Sequence, residues 1–178
     1  MIKMYHARFK GSHYQAGFKW GHLLRKKDIV IKGSLTFEIT EEMKQFAKAC
    51  KPVYEKYYPE VTEEIKGIAD GQESSFDLLS TILFSIYCFK PVNKCTCFAF
   101  NTKDKTIFGR NSDFLVSLKK LYMNCLYKLD GVYAFNGNTT AYVEMEDGVN
   151  EYGLAVGLTF MYPHLRKNGL NAGMLVRF

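Results

Sequence analysis

Before about residue 90, apolar residues recur at the three- and four-residue spacing of amphipathic helices, after a short alternating stretch at residues 2–9. The pattern predicts one strand there and then four helices, over about 12–27, 34–50, 52–71 and 74–90. Ser12 can cap the first helix, with Gln15 three residues on as its partner in a capping box. The first half of the chain is therefore predicted to be mostly helical.

From residue 95 onward the pattern changes to short runs of alternating apolar and polar residues. These runs predict strands over 95–101, 106–110, 121–129, 132–135, 140–146 and 154–160. The polar stretch 102–105 and the Asp-Gly and Asn-Gly pairs at 130–131, 136–137 and 147–148 are predicted turns. The fold class is therefore α+β, with a helical lead followed by antiparallel strands. An apolar helix start at Asn171 suggests that the chain is a fragment of a longer protein.

Composition and charge narrow the class of protein. With 178 residues, of which 47% are hydrophobic, the chain can build a sizeable core. Its net charge of +6 is spread along the chain, and the one basic run, at 25–27, falls at a predicted helix end. A nucleic-acid partner would need clustered basic residues, so this hypothesis ranks low. The apolar stretch 78–89 is too short to span a bilayer and predicts a buried helix rather than a membrane segment.

The five cysteines are an odd number, and the N-terminus lacks the apolar stretch of a secretory signal. These features predict a reduced, cytoplasmic setting. Paired C-x-x-C spacing is absent and the nearest histidines are distant in sequence, so a zinc site is not expected. The cysteines are therefore free to act as core residues or as a nucleophile.

Three residues around the predicted hairpin could carry chemistry. Cys95 opens a strand, and the short hairpin should bring Arg110 back toward it, with Asp113 nearby. A guanidinium at that place would favour the thiolate, and a carboxylate could orient an amine. Two alternatives stay open, namely that Cys95 is a small buried core residue and that Arg110 and Asp113 form a surface ion pair. Cys97 points to the same sheet face as Cys95, so alternation does not separate the two.

A family resemblance rests on four motifs in order along the chain. Residues 95–99 have the form Cys-Thr-x-Phe-Ala, and residues 108–114 the form Phe-Gly-Arg-Asn-x-Asp-Phe. Residues 150–154 have the form Asn-Glu-x-Gly-Leu, and residues 11–21 carry a Gly-Ser-His start to a helix. Together they resemble the choloylglycine hydrolase and acyl-CoA:6-aminopenicillanate acyltransferase group of N-terminal nucleophile hydrolases, which act on linear amide bonds.

The resemblance implies an αββα sandwich in which residues 1–94 form a helical pro-segment of the same domain and residues 95–178 the first part of its antiparallel sheet. It implies that Cys95 cuts the Lys94–Cys95 peptide bond and then acts as nucleophile, with its own α-amine as base. Arg110 would flank the nucleophile and Asp113 would hold its amine and thiol. The family order selects Cys95 over Cys97 as the nucleophile.

By the same resemblance, Thr159 and Asn150 would contact the oxyanion or the substrate, with Thr159 standing where one branch has Asn. No cofactor or metal is implied, and the substrate is a small amide or acyl compound. Because relatives are longer, a missing C-terminal half or a second chain would complete the fold. The alternative is a non-catalytic or truncated relative that binds a small acyl compound. Five aromatic residues could line an acyl pocket or belong to the core: Phe98, Phe114, Phe135, Phe160 and Tyr162.

Overall fold

The computed structural model describes residues 5–29, 31, 37–89, 94–113, 122–140, 142–159 and 165–178. Its helices are α1 (His13–Arg25), α2 (Glu41–Tyr57), α3 (Pro59–Gly71), α4 (Phe76–Phe89) and the single turn α5 (Ala172–Leu175). Its strands are β1 (Tyr5–Gly11), β2 (Lys94–Asn101), β3 (Thr106–Asp113), β4 (Met123–Leu129), β5 (Phe135–Thr139), β6 (Asp147–Asn150) and β7 (Ala155–Gly157). The α+β class is confirmed, with a helical region ahead of most of the strands.

Helix α1 begins where the sequence predicts. The Ser12 hydroxyl accepts a hydrogen bond from the Gln15 backbone N–H, and the Gln15 side chain accepts one from the Ser12 N–H, which completes the capping box. Ala16, Trp20 and Leu24 then lie one turn apart and are buried. This spacing directs one face of α1 into the core.

Helices α1 and α3 cross with their backbones almost in contact. Two glycines on each helix make the approach possible, and a Cβ on Gly67 would lie 2.2 Å from the Tyr14 carbonyl oxygen. A Cβ on Gly17 would likewise lie 2.0 Å from the Glu64 carbonyl oxygen. Glycine is therefore a packing requirement at this crossing.

Two sheets are present among the described residues. One has five strands in the order β1-β4-β5-β6-β7, in which β1 pairs with β4 in parallel and the other pairs are antiparallel. The other is the β2–β3 hairpin. One face of the five-stranded sheet packs on the helices through Phe9, Cys125 and Tyr127, which are 0–1% exposed. The opposite face carries mostly polar side chains and lies on the side of the hairpin.

Two boundary predictions in the helical region are corrected. The break predicted at Pro52 lies instead at Tyr58, because α2 continues through the proline. Proline in a helix interior costs about 3 kcal/mol. Here the fully buried side chains of Cys50 and Tyr54, one on each side of Pro52, keep the same helix face in the core. The predicted helix over 34–50 begins at Glu41, and residues 32–36 lie outside the described part of the chain.

Two strand predictions were wrong. In the predicted strand 132–135, residue 132 is a bend and residues 133–134 are irregular, and β5 begins only at Phe135. The predicted strand 140–146 contains a turn at Tyr142, whose φ is 57°, and residues 143–146 are all buried instead of alternating. The predicted turns at 136–137 and 147–148 lie inside β5 and β6, where Gly137 lets the strands approach closely, since a Cβ there would lie 2.5 Å from the Asp147 carbonyl oxygen.

The described helices include none with the length and apolar character needed to cross a membrane. The division into segments 1–94 and 95–178 stays a prediction. Strand β1 from the first segment pairs along its whole length with β4 from the second, so the two segments share one sheet.

Candidate functional site

The β2–β3 hairpin sets the positions of the candidate chemical groups. In its register Cys95 lies opposite Ser112, and Cys97 lies opposite Arg110. Side chains at alternate positions share a face, so both thiols, the Ser112 hydroxyl and the Arg110 guanidinium lie on one side of the hairpin. The predicted proximity of Arg110 to the Cys95 strand is present in the structure.

The Arg110 guanidinium bonds in three directions at once. Its Nη2 donates to the Cys95 Sγ at 3.0 Å, its Nη1 to the Glu146 Oε2 at 2.8 Å and its Nε to the Leu158 carbonyl oxygen at 2.8 Å. The side chain is 4% exposed. The planar, rigid fork of donors in arginine suits such a junction, whereas a lysine ammonium would not reproduce it. Arg110 therefore joins the hairpin to the region around β6 and β7 and places a positive charge against the Cys95 sulfur.

Glu146 holds the other side of this junction. Its side chain is 3% exposed, and its Oε1 accepts from the Thr140 hydroxyl at 2.5 Å while Oε2 accepts from Arg110. Its backbone is fixed as well, because the Glu146 carbonyl accepts from the Leu158 N–H at 2.7 Å. A buried carboxylate requires such partners, since a lone buried charge is strongly disfavoured. Glu146 is therefore a buried ion-pair partner of Arg110 and not a surface acid.

Burial and charge act together on the ionisable groups at this junction. Desolvation works against the charge on Arg110, but the hydrogen bond and charge of Glu146 outweigh it, and the Arg110 pKa is raised. Burial raises the pKa of Asp147, whose Oδ2 lies 3.8 Å from the Arg110 Nη1. Burial raises the pKa of Tyr87 well above its usual value, and the Glu144 and Glu146 charges add to this effect. Shifted groups concentrated in one place mark a functional-site candidate.

Asp113, the third predicted catalytic residue, occupies a different position. It lies opposite Lys94 in the hairpin register, one residue beyond Ser112, so alternation directs it to the other face from Cys95. It is exposed, and its Oδ1 accepts from the Asn111 amide at 2.6 Å. Among the described residues, no hydrogen bond joins Asp113 to Cys95.

The two residues predicted to contact the oxyanion or the substrate are separated. Thr159 is exposed and follows Leu158, whose carbonyl accepts from Arg110, so it lies beside the junction. Asn150 ends β6, three residues from Asp147, and its side-chain oxygen accepts from the backbone N–H groups of Tyr152 and Leu154 at 3.0 Å each. Asn150 thus serves the β6–β7 turn.

Cys97 packs where the hairpin meets β7. A Cβ on Gly157 would lie 3.2 Å from its Sγ and 2.4 Å from the Cζ of Phe108, so this glycine gives the hairpin room. Of the aromatic residues suggested for an acyl pocket, Phe98 is 60% exposed and Phe135 packs against the core. Phe114, Phe160 and Tyr162 lie outside the described residues.

Sequence reasoning missed Glu146, Asp147 and Tyr87. A signal was present, because residues 144–147 place three acids in four positions at the end of the predicted strand 140–146 and the start of the predicted turn after it. Acids directed toward a core require partners, and this requirement could have identified the segment. The described residues contain no group of three or more His, Cys, Asp or Glu that could hold a metal ion.

Comparison with known families supports the resemblance drawn from the motifs. Residues 100–178 match the sequence model of the acyl-coenzyme A:6-aminopenicillanic acid acyl-transferase family. The matched segment includes Arg110, Glu146, Asp147 and Thr159, and it begins just after Cys95. The resemblance is confirmed over this segment, and the name of the family describes acyl transfer by its members.

Proposed function

We propose that this protein is a cysteine amidase or acyltransferase of the N-terminal nucleophile type, with Cys95 as its nucleophile and a small amide or thioester as its substrate. One observation carries the proposal: Arg110, within the segment that matches the family, donates a hydrogen bond to the Cys95 Sγ at 3.0 Å. In the same proposal, the helix-covered five-stranded sheet and the β2–β3 hairpin belong to the two sheets of an αββα sandwich.

Activation in this proposal is a self-cleavage. The Cys95 thiolate attacks the carbonyl carbon of Lys94, a C–S bond forms, and the peptide C–N bond breaks as the nitrogen takes a proton. The resulting thioester is hydrolysed by water, which leaves a carboxylate on Lys94 and returns the thiol to Cys95. The Cys95 α-amine is now free, and with a pKa of about 8 it can accept the thiol proton near neutral pH.

Turnover repeats the same chemistry on a substrate. Cys95 attacks the substrate carbonyl, its proton passes through the α-amine to the leaving amine, and an acyl thioester remains. Water or a second amine then takes the acyl group. The Arg110 charge lies against the sulfur throughout, and Thr159, beside the junction, is the proposed side-chain donor to the oxyanion. Removing such a donor costs about 10²–10³ in rate.

Asp113 is the least direct part of the proposal, since it lies across the hairpin from the thiol. Its proposed role is to hold the α-amine after cleavage, when the chain end at Cys95 is free to turn toward it. An Asp113→Asn variant tests this role. If the Asp113 carboxylate binds the free α-amine, turnover of substrate falls while the self-cleavage is less affected, because the free amine exists only after that cleavage.

The test is the intact mass of the purified protein, measured beside Cys95→Ala and Cys97→Ala variants. The proposal expects wild type and Cys97→Ala to yield two pieces, 1–94 and 95–178, and Cys95→Ala to stay whole. Splitting that requires Cys97 would transfer the role to that residue. A single uncut mass in wild type would overturn the self-processing proposal and favour a non-catalytic relative that binds an acyl compound.

A further inference from the structure

A row of polar side chains crosses the face of the five-stranded sheet that lies away from the helices. The strand register aligns His6 of β1 with Asn124 of β4, Asn124 with Asn138 of β5, and Asn138 with Asp147 of β6. The next position in the row is Gly157 of β7. The polar side chains therefore cross four of the five strands, and the row ends at Asp147, beside the place where the hairpin carrying Cys95 meets the sheet.

Hydrogen bonds connect the row from end to end. His6 Nδ1 lies 2.7 Å from the Asn124 Oδ1, the Asn124 Nδ2 donates to the Asn138 Oδ1 at 3.0 Å, and the Asn138 Nδ2 donates to the Asp147 Oδ1 at 2.7 Å. Asn136 supports the centre, because it exchanges two bonds with Asn124 at 2.9 and 3.0 Å. These contacts fix the orientation of each amide.

The row borders an open cavity of about 530 Å³, lined by His6, Tyr122, Asn124 and Asn138. On the same strands, alternate residues that point to the other face, such as Cys125 and Tyr127, form the core. The amides are therefore not needed to pack the sheet against the helices. Asp147 at the end of the row lies 3.8 Å from the Arg110 Nη1, and Arg110 bonds to Cys95, so side-chain contacts connect the row to the proposed nucleophile.

We propose that His6 and Asn138, held in place by Asn124, form a binding strip for a neutral, peptide-like portion of the substrate, and that Cys95 acts on an amide attached to that portion. This inference rests on the proposed function for the reaction, but not for the binding itself. Side-chain amides both donate and accept, as peptide groups do. An alkyl chain over the strip would remove water from the amides and return no hydrogen bond, so the strip should reject it.

The length of the strip limits the size of this portion. Asp147 and His6 are three strand spacings apart, about 14 Å. An extended peptide covers at most about 3.3–3.6 Å per residue, so about four residues match the strip. A substrate of the class acyl-oligopeptide therefore fits better than an acyl alkylamine.

The test compares two ligands that share a hexanoyl group, on the full chain carrying Cys95→Ala, which cannot turn them over. These are N-hexanoyl-triglycine amide and N-hexanoyl-hexylamine, and binding is measured by calorimetry or by NMR titration. The peptide-like ligand should bind at least about tenfold more tightly, as expected for one or two additional hydrogen bonds. Equal affinities for the two ligands, or no binding of the triglycine ligand, would refute the proposed binding strip.

Variants locate the binding. Asn138→Leu and His6→Ala, each added to Cys95→Ala, should weaken the triglycine ligand about five- to tenfold and leave the hexylamine ligand unchanged. The matched control is Asn101→Leu, at the exposed far end of β2, where no effect is expected. Circular dichroism checks that each variant is folded. Unchanged ligand preference in both His6→Ala and Asn138→Leu would refute the assignment.

Failure of the binding strip and failure of the proposed function give different experimental results. The intact mass of the chain with Cys95 restored reports self-cleavage and does not involve a ligand. Normal self-cleavage with no ligand preference would support the proposed reaction and refute the binding strip. A clear preference for the triglycine ligand without self-cleavage would support the strip as a peptide-binding surface and refute the proposed reaction.

Discussion

Removing the Glu146 carboxylate is the most informative single change at this site. In the folded protein Glu146 bonds to both Arg110 and Thr140, and the Arg110 and Glu146 side chains are only 4% and 3% exposed. A Glu146→Ala variant would leave the Arg110 guanidinium buried beside the Cys95 sulfur without the carboxylate that hydrogen-bonds to it. We expect this change to lower the free energy of unfolding and to displace the Arg110 side chain from Cys95.

The magnitude follows from the burial of the pair. Breaking a buried ion pair by removing one partner costs about 3–5 kcal/mol, because an uncompensated charge is left behind. Asp147 lies 3.8 Å from the Arg110 Nη1 and can take over part of the role, so we expect about 3 kcal/mol for Glu146→Ala. Glu146→Gln keeps an acceptor in place and loses only the charge, which predicts a smaller cost of about 1–2 kcal/mol.

The assay is urea unfolding at pH 7, followed by the fluorescence of Trp20. This is the one tryptophan in the sequence, and it is 2% exposed, so its emission should report loss of the core. Glu55→Ala is the matched control, because Glu55 forms an exposed pair with Lys51 at 3.9 Å. The control should change the free energy of unfolding by less than about 0.5 kcal/mol.

A double-mutant cycle isolates the pair itself. Arg110→Met combined with Glu146→Leu replaces both charges with apolar groups, and such replacements are often neutral or stabilising. The double variant should therefore be more stable than the single Glu146→Leu variant by about 2 kcal/mol or more. If Glu146→Ala behaves like the Glu55→Ala control, or if the two sites show no coupling, the buried pair does not hold the junction together.

Three further changes test other parts of the structure. Gly67→Ala would place a Cβ 2.2 Å from the Tyr14 carbonyl oxygen, so urea unfolding should show a loss of about 1–3 kcal/mol. Burial raises the pKa of Glu144 in the folded protein well above 4.5. Between the pKa of the unfolded chain and that of the folded protein, only the unfolded chain has lost the proton. The free energy of unfolding therefore falls as the pH rises through this range. Glu144→Gln should thus match wild type at pH 4 and exceed it at pH 8 in the same assay. Gly157→Ala would press on Phe108 and shift the hairpin, which should slow any self-cleavage measured by intact mass.

The parts of the site that could be predicted from sequence are those set by local chain geometry. A short polar turn between two alternating runs determines a hairpin, and the hairpin register brings Arg110 to the Cys95 strand. The start of α1 was predictable for the same reason, because its capping box lies within four residues. Each of these features depends on neighbours in sequence.

The parts that could not be predicted depend on distant segments. Glu146 and Leu158 reach Arg110 from 36 and 48 residues away, and no local pattern states that pairing. The continuation of α2 through Pro52 is similar, because burial of Cys50 and Tyr54 against other helices outweighs the local preference to end the helix. The pairs Asn136-Gly137 and Asp147-Gly148 misled for the same reason, since tertiary packing used their glycines inside strands, whereas the pair at 130–131 is a turn as predicted.

The double role of Arg110 determines how activity measurements should be interpreted. The side chain that donates to Cys95 also joins the hairpin to Glu146 and Leu158, so any substitution of Arg110 changes both the charge at the sulfur and the position of the strand. Loss of cleavage in an Arg110 variant therefore does not distinguish chemistry from misplacement. Glu146→Gln does, because it keeps the arginine charge and weakens only its anchoring. If cleavage falls in proportion to lost stability in Glu146→Gln but far more in Arg110→Met, the charge at the sulfur contributes beyond holding the hairpin in place.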